Sequence, residues 1–324
     1  MIVPRHWAEA RLVERARGRQ VTVRRFGWSD ASEEDARRMA EGRAREALAR
    51  ILAGERLDRR EPKVPYNGAE GVPIREEILA EHGDAVVTRN TYGAQCLNVP
   101  DVLFADVDFE EGLPDRIALG LALAAACAGV AAGLLGTPLL GAAAFVVVVV
   151  LGAPLVRALR AARVRAQGGP EGHALARARA FVAAHPAWHL RAYRTPAGLR
   201  LVADHATFDP RAPEVAAFFA AVGTDRQYVR MCARQRCFRA RLTPKPWRIG
   251  IPGHLRPRPG VWPVRPERRA ERAAWIAAYE EAARGHAACR HLCALGGGDP
   301  DPRVQRVVAL HDELSRAHSG LPIA

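Results

Sequence analysis

The chain has 324 residues, with 48 Lys plus Arg against 35 Asp plus Glu, a net charge of +13 and a pI near 10.4. At 49% hydrophobic and 26% charged residues it has the composition of a folded protein, which excludes a disordered or collagen-like chain. The excess of positive charge, almost all of it Arg, suits a phosphate-bearing partner such as nucleic acid or anionic lipid. It equally suits an Arg-rich proteome in which Arg replaces Lys.

The N-terminal stretch MIVPRHWAEARLVERARGRQ is interrupted by charges and has no apolar core of signal-peptide length. QVTVRRFGW, residues 20–28, alternates as a strand does. Ser29 or Asp30 is then expected to cap a helix from about Ser32 to Leu52. Glu33, Glu34 and Asp35 fall in its first turn, where the helix dipole favours acids, and Gly54 ends it. A Pro- and Gly-containing loop over 61–73 leads to REEILAEH (75–82), which reads as a short helix stopped by Gly83. Three strands are expected next: DAVVTRN (84–90), GAQCLNV (93–99) and DVLFADVDF (101–109).

Ile117 to Val156 then contains no Asp, Glu, Lys, Arg or His. One membrane crossing takes about 20 helical residues, so forty match two spans, 117–136 and 138–156, broken at Gly136–Thr137–Pro138. Arg116 precedes the run, and Arg157, Arg160, Arg163 and Arg165 follow it. The positive-inside rule therefore predicts a multi-pass hairpin in the inner membrane, with both termini cytoplasmic. The alternative is a pair of buried core helices.

Beyond it, 172–184 reads as a helix, and WHLRAYRTPAGLRLVADH (188–205) as two strands joined by the turn Thr195–Gly198. Helices are expected over 212–222 and 225–235. From Arg226 to Arg269 there are thirteen Lys or Arg and one acid, Glu267, and HLRPRPGVWPVRPERR (254–269) is Pro-rich and reads as extended. Two amphipathic helices, near 267–284 and 302–317, finish the chain. Too few strands lie on either side of the apolar run to make separate sheets comfortably. The expected fold is therefore one α+β, mixed-sheet domain interrupted by a transmembrane hairpin. Its parts are 1–115, the hairpin 116–157, the basic-strand part 158–266, and C-terminal helices over 267–324.

Asp106 and Asp108 alternate on one strand face, with Phe104 continuing that face and Val107 packing beneath. Two adjacent carboxylates repel each other unless solvated or bridged by a divalent metal. The pair is therefore either a Mg²⁺ or Mn²⁺ site or two solvated acids at a strand end, followed by Glu110 and Glu111. In FRARLTPKPWR, Arg239 and Arg241 share a strand face, and Lys245 and Arg248 follow a Pro-fixed turn, so four cations are placed to meet one polyanion. The same cations suit an anionic membrane surface. Trp247 and Trp262 suit base stacking or the interfacial belt. Of six Cys, Cys96 and Cys127 stand apart, and Cys232, Cys237, Cys289 and Cys293 lack the spacing of a disulfide scaffold or a zinc knuckle. Zinc is not expected. No Walker loop, G-x-S-x-G elbow or HExxH occurs.

The order of FADVDF (104–109), YRTPAGLRLV (193–202) and TDRQYVRMCARQRCFRARLTPKP (224–246) resembles the archaeo-eukaryotic primase superfamily of primase-polymerases. The resemblance spans under a quarter of the chain. It implies that Asp106 and Asp108 are catalytic metal ligands, with Asp225 as a third acid. Arg200 stands where the family's nucleotide-contacting His is expected; Arg cannot serve as a base, but it can clamp a phosphate. Arg194 on the same hairpin joins Arg200, Arg239, Arg241, Lys245 and Arg248 as an expected phosphate ligand. Two functions follow as expectations. One is a membrane-anchored protein binding a nucleotide or nucleic acid, with metal-dependent nucleotidyl transfer as its catalytic form. The other is a non-catalytic scaffold docking on anionic lipid or a protein partner. A cleft shared by Asp106 and Asp108 with Arg200 and Arg239 favours the first; carboxylates facing open solvent favour the second.

Overall fold

The strand expected over 20–28 has an antiparallel partner ahead of it: β1 (His6–Ala16) pairs with β2 (Arg19–Ser29), from His6 opposite Ser29 to Ala16 opposite Arg19. The computed structural model of the chain describes residues 3–16, 19–61, 72–109, 115–258, 260 and 262–324. Most of the expected 61–73 loop, and the acids Glu110 and Glu111, lie outside the described residues. Helix α1 (Glu33–Leu52) lies on the hairpin, burying Ala36, Ala40, Ala44 and Ala47, a small-residue stripe that lets helix and strands approach closely. Its cap is Ser32, not Ser29 or Asp30: the Asp35 amide donates to Ser32 Oγ at 3.1 Å.

The segment expected as a helix over 75–82 is a strand. β3 (Glu77–His82) pairs antiparallel with β4 (Ala85–Arg89) through a two-residue turn, Gly83–Asp84. Gly83 has φ +63°, as the first position of a tight hairpin turn requires, so the glycine reverses the chain instead of ending a helix. β4 continues to β5 (Gln95–Val99), and β6 (Phe104–Asp108) follows.

α2 (Asp115–Leu135) and α3 (Pro138–Ala166) are long and apolar enough to cross a membrane, with mean hydropathies of 2.2 and 2.7 and only 6% of each apolar window buried within the protein. Neither is buried as a core helix of this chain would be. They pack on each other through glycines: a Cβ on Gly141 would stand 2.6 Å from the Gly129 carbonyl oxygen and 3.1 Å from Gly133 Cα. α3 runs past the expected end at 156, so Arg157, Arg160, Arg163 and Arg165 ride on its last turns.

α4 (Gly169–Ala184), β7 (His189–Arg194), β8 (Gly198–Ala203), α5 (Pro213–Val222), α6 (Arg226–Gln235) and β9 (Phe238–Arg241) follow. α7 (Arg269–Ala283) and α8 (Pro302–Ser315) flank a strand that the sequence reading missed, β10 (Arg290–Gly296). Its ladder to β7 shifts register between His291 and Cys293, which breaks the alternation by which strands are recognised.

The strands form three sheets: β1-β2, β10-β7-β8-β6 and β3-β4-β5-β9. Their ladders run antiparallel, with isolated parallel bridges at Arg24–Arg60 and Ala287–Ile323. Each four-stranded sheet combines strands from before and after the apolar helices. One hydrophobic core runs through both, joining Leu97, Phe104, Leu201, Phe218, Phe238 and Val308. Burying such side chains contributes about 1.5–3 kcal/mol each. β6 approaches β9, and a cleft opens where the two sheets meet.

Candidate functional site: an acid and cation cleft between two sheets

Strand parity decides which residues reach this cleft. Across the β10-β7-β8-β6 sheet, Asp106 pairs with Arg200, Arg200 with Tyr193, and Tyr193 with His291, so these four share a face. Val107 pairs with Leu199, and Leu199 with Arg194, on the other face. Arg194 therefore leaves the expected phosphate set. Its guanidinium bonds the Gly198 carbonyl oxygen at 2.9 Å, pairs with Glu171 at 3.2 Å and lies over the Phe109 ring.

The cleft has a volume of about 400 Å³ and takes in Asp106, Asp108, Asp225, Arg200, Arg239, Arg241, Lys245 and Arg248. That volume falls in the range of small-molecule sites. Asp225 is delivered from α6: it caps that helix, accepting from the Tyr228 amide at 2.8 Å, and its own amide donates to the Asp106 carbonyl oxygen at 2.9 Å. Asp108 sits beside Gly198, where a Cβ would stand 1.9 Å from the Val107 carbonyl oxygen; only glycine lets β8 lie this close to β6.

The three acids differ in freedom. Asp106 is gripped by Arg200, Nε to Oδ1 at 2.9 Å and Nη2 to Oδ2 at 3.4 Å. Asp225 spends one oxygen on its helix cap. Asp108 makes no hydrogen bond or ion pair among the described residues. Burial, then Asp106, then Asp225 raise its carboxyl pKa, against the pull of Lys245 and Arg248. Among the described residues, no three His, Cys, Asp or Glu side chains are grouped to hold a metal ion by themselves.

The cations also divide. Arg239 is structural: its side chain, 7% exposed, pairs with buried Glu76 at 2.5 Å, and Glu76 also accepts from Thr88 Oγ1 at 2.7 Å. Arg200, 3% exposed, gives Nη1 to the Arg241 carbonyl oxygen at 2.9 Å and to His311 at 3.2 Å, besides its two bonds to Asp106. Burial acts to lower its pKa, but Asp106, together with Cys289 and Tyr228, raises it on balance. Neither Arg200 nor Arg239 offers an open fork to a ligand. Lys245 and Arg248 have no ion-pair partner among the described residues, and Arg241, whose Nη1 also donates to the Ala324 oxygen at 3.3 Å, keeps Nε and Nη2 open. Arg241 is steadied by the Thr243 carbonyl oxygen at 3.0 Å. Burial and then Arg241 lower the pKa of both Lys245 and Arg248, so this wall is crowded with positive charge as the other is with negative.

The sequence reading missed Tyr92 and His311. Tyr92 lies on the β4–β5 loop, its ring 5.5 Å from Trp247, and its phenol is pushed up to about 12, chiefly by burial. Trp247 stacks on His254, with Lys245 over its face at 5.6 Å. No local pattern marks Tyr92 or His311; both arrive by long-range folding. Cys232, Cys237 and Cys289 are buried, and burial raises all three thiols. No protein-family model matches this chain, and comparison with curated proteins and with solved structures finds no match.

Proposed function

We propose that this is a membrane-anchored protein whose cleft binds a phosphate-rich ligand, a nucleotide or a nucleic-acid end, together with Mg²⁺ or Mn²⁺. The observation that carries this reading is the facing of two like-charged walls, Asp106, Asp108 and Asp225 against Arg241, Lys245 and Arg248, across one cleft. Burial first, and like charge on the same wall second, raise the Asp108 carboxyl and lower the Lys245 ammonium, so each wall holds its charge at a cost. A polyphosphate on the cationic wall and a divalent cation on the acidic wall would relieve both.

The donor set fits such a cation in a particular way. Mg²⁺ is commonly held by one or two carboxylates, with substrate phosphates and waters completing its shell, so a protein trio is not required. Asp108 is the free carboxylate, and Asp106 presents its oxygens from the Arg200 clamp. A bound divalent cation would supply charge neutralisation at phosphoryl oxygens. The chain's own part is to hold the phosphates at Arg241, Lys245 and Arg248, with exposed Trp247 beside the lining residue Tyr92 as a stacking surface. Nucleotidyl transfer, as the primase-polymerase resemblance implies, is the catalytic form of this reading. It keeps Asp106, Asp108 and Asp225 in their implied places but recasts Arg200 as the holder of Asp106.

The apolar pair α2–α3 is read as a hairpin through the inner membrane with both termini cytoplasmic, because the Arg residues of α3 gather at its exit. The test is a thermal melt of the detergent-solubilised protein with Mn²⁺, with and without ATP. A ligand that binds only the native state raises stability by RT ln(1 + [L]/Kd), about 2.7 kcal/mol at a hundred times Kd. Stabilisation by Mn²⁺ that is lost in Asp106→Asn/Asp108→Asn is the expected result. A wild type indifferent to millimolar Mn²⁺ with and without ATP would leave the lipid- or protein-docking scaffold in its place.

A further inference from the structure

We infer that His311 on α8 is a positioning residue for the cleft, fixing the Asp106 carboxylate through Arg200. The inference rests on the metal-and-phosphate reading above. Its basis is a buried chain of polar groups running from the surface to the cleft. Exposed His318 Nε2 lies 3.0 Å from Asp312 Oδ2, and Asp312 Oδ1 lies 2.9 Å from His311 Nδ1. His311 Nε2 lies 3.2 Å from Arg200 Nη1, and the Arg200 fork holds both oxygens of Asp106.

Donor chemistry fixes the direction of this chain. A guanidinium only donates, so His311 Nε2 must accept, the ring must be neutral, and its proton must sit on Nδ1, where it donates to Asp312. Asp312 is held from the other side by Arg191 Nη2 at 3.1 Å, and Arg191 Nε donates to the Tyr193 hydroxyl at 2.9 Å. The His311 ring is fully buried, 5.3 Å from Phe104 and edge-on to Tyr193 at 4.9 Å, so it has no room to turn.

The consequence for the cleft follows from the rigidity of the fork. The guanidinium is planar, so its Nη1 contacts with His311 and the Arg241 carbonyl oxygen set the tilt at which Nε and Nη2 meet Asp106. A merely space-filling core histidine would need no acceptor aimed at a cleft cation pair. Partners that orient a metal-binding carboxylate are typically worth 10–100-fold in metal affinity.

The test uses the full chain in detergent, with two probes: Mn²⁺ by electron paramagnetic resonance of the free ion, and tripolyphosphate in metal-free buffer by calorimetry. Gln places its amide where Nε2 stands and can accept from Arg200; Asn places it where Nδ1 stands and cannot. His311→Asn is expected to weaken Mn²⁺ binding roughly 10–100-fold. Tripolyphosphate affinity, set by Arg241, Lys245 and Arg248, should change less than about twofold, and His311→Gln should recover most of the Mn²⁺ affinity. Wild-type Mn²⁺ affinity in His311→Asn overturns the inference alone. So does an equal loss of both probes in the two variants, which marks general damage, or a His311→Gln no better than His311→Asn. A wild type that binds no Mn²⁺ overturns the cleft reading and this inference together. Should His311→Asn fail to fold, His311→Gln at wild-type Mn²⁺ affinity beside a folded but weakened His311→Leu supports it, and any other pattern overturns it.

Discussion

Asp108 carries a cost that its neighbours do not relieve. Its carboxyl is raised by burial and by Asp106 and Asp225, so the native state holds that proton more tightly than the unfolded chain does. Stability contributed at this position therefore falls as pH climbs from the ordinary aspartate range, about pH 4, through the raised value. Asp108→Asn removes the charge, so it should stabilise the metal-free protein at pH 7, by less than about 1 kcal/mol once solvent screening is allowed for, and have no such effect below pH 4. The same variant should lose the Mn²⁺-dependent rise in Tm. Arg239 makes the opposite case. Removing one partner of its buried pair, by Glu76→Leu or Arg239→Met, should cost about 3–5 kcal/mol in denaturant melts, and the double variant less than the sum of the two. The Asp106/Asp108 face and Arg241 were legible in the sequence because period-two parity is local, and Lys245 and Arg248 because they follow a Pro-fixed turn. Glu76 as the partner of Arg239 was not, since it lies 163 residues away. His311, 111 residues from Arg200, was hidden for the same reason.

At the level of elements, α1, α5, α6 and the β7–β8 hairpin were readable from apolar spacing, first-turn acids and turn residues, although the α1 cap was misplaced. β1 was not read as a strand, β3 was read as a helix and β10 was missed, the last two for different reasons. β3 is half-exposed and rich in Glu, so its composition favours a helix, and only pairing with β4 makes it a strand. β10 is broken by its register shift. The β6–β8 contact is where local geometry most directly sets the site. Gly198→Ala would drive a methyl into the Val107 carbonyl oxygen, so it should cost about 1–3 kcal/mol and displace Asp108. A lowered Tm together with a lost Mn²⁺ response is expected; wild-type behaviour in both would show that β8 can move aside without consequence.

For the whole molecule, the apolar pair stands apart, with only 6% of each apolar window buried. Thr137 caps α3 at the turn between the two spans, accepting from the Leu140 amide at 3.3 Å, and is exposed. The proposed topology, with both termini cytoplasmic, predicts that Thr137→Cys reacts with an impermeant maleimide in intact cells. Labelling of that site only after lysis would place the turn on the inner side and remove the hairpin topology. The 40-residue uncharged run made the pair itself visible in the sequence, whereas its place within a shared two-sheet body depended on pairings across it.

That interleaving also dictates an order of assembly during synthesis. β5 and β6 leave the ribosome early, but their partners β9 and β8 are encoded after the apolar pair. At about 5–20 residues per second, the stretch from Val99 to Phe238 takes on the order of ten seconds to translate. Throughout that interval the nascent N-terminal half displays unpaired strand edges while the apolar pair is being made. A chain ordered in this way cannot close its cleft until the apolar pair and the strands after it have been made, so Asp106 and Asp108, encoded before the pair, meet Arg241, Lys245 and Arg248, encoded after it, only late in synthesis.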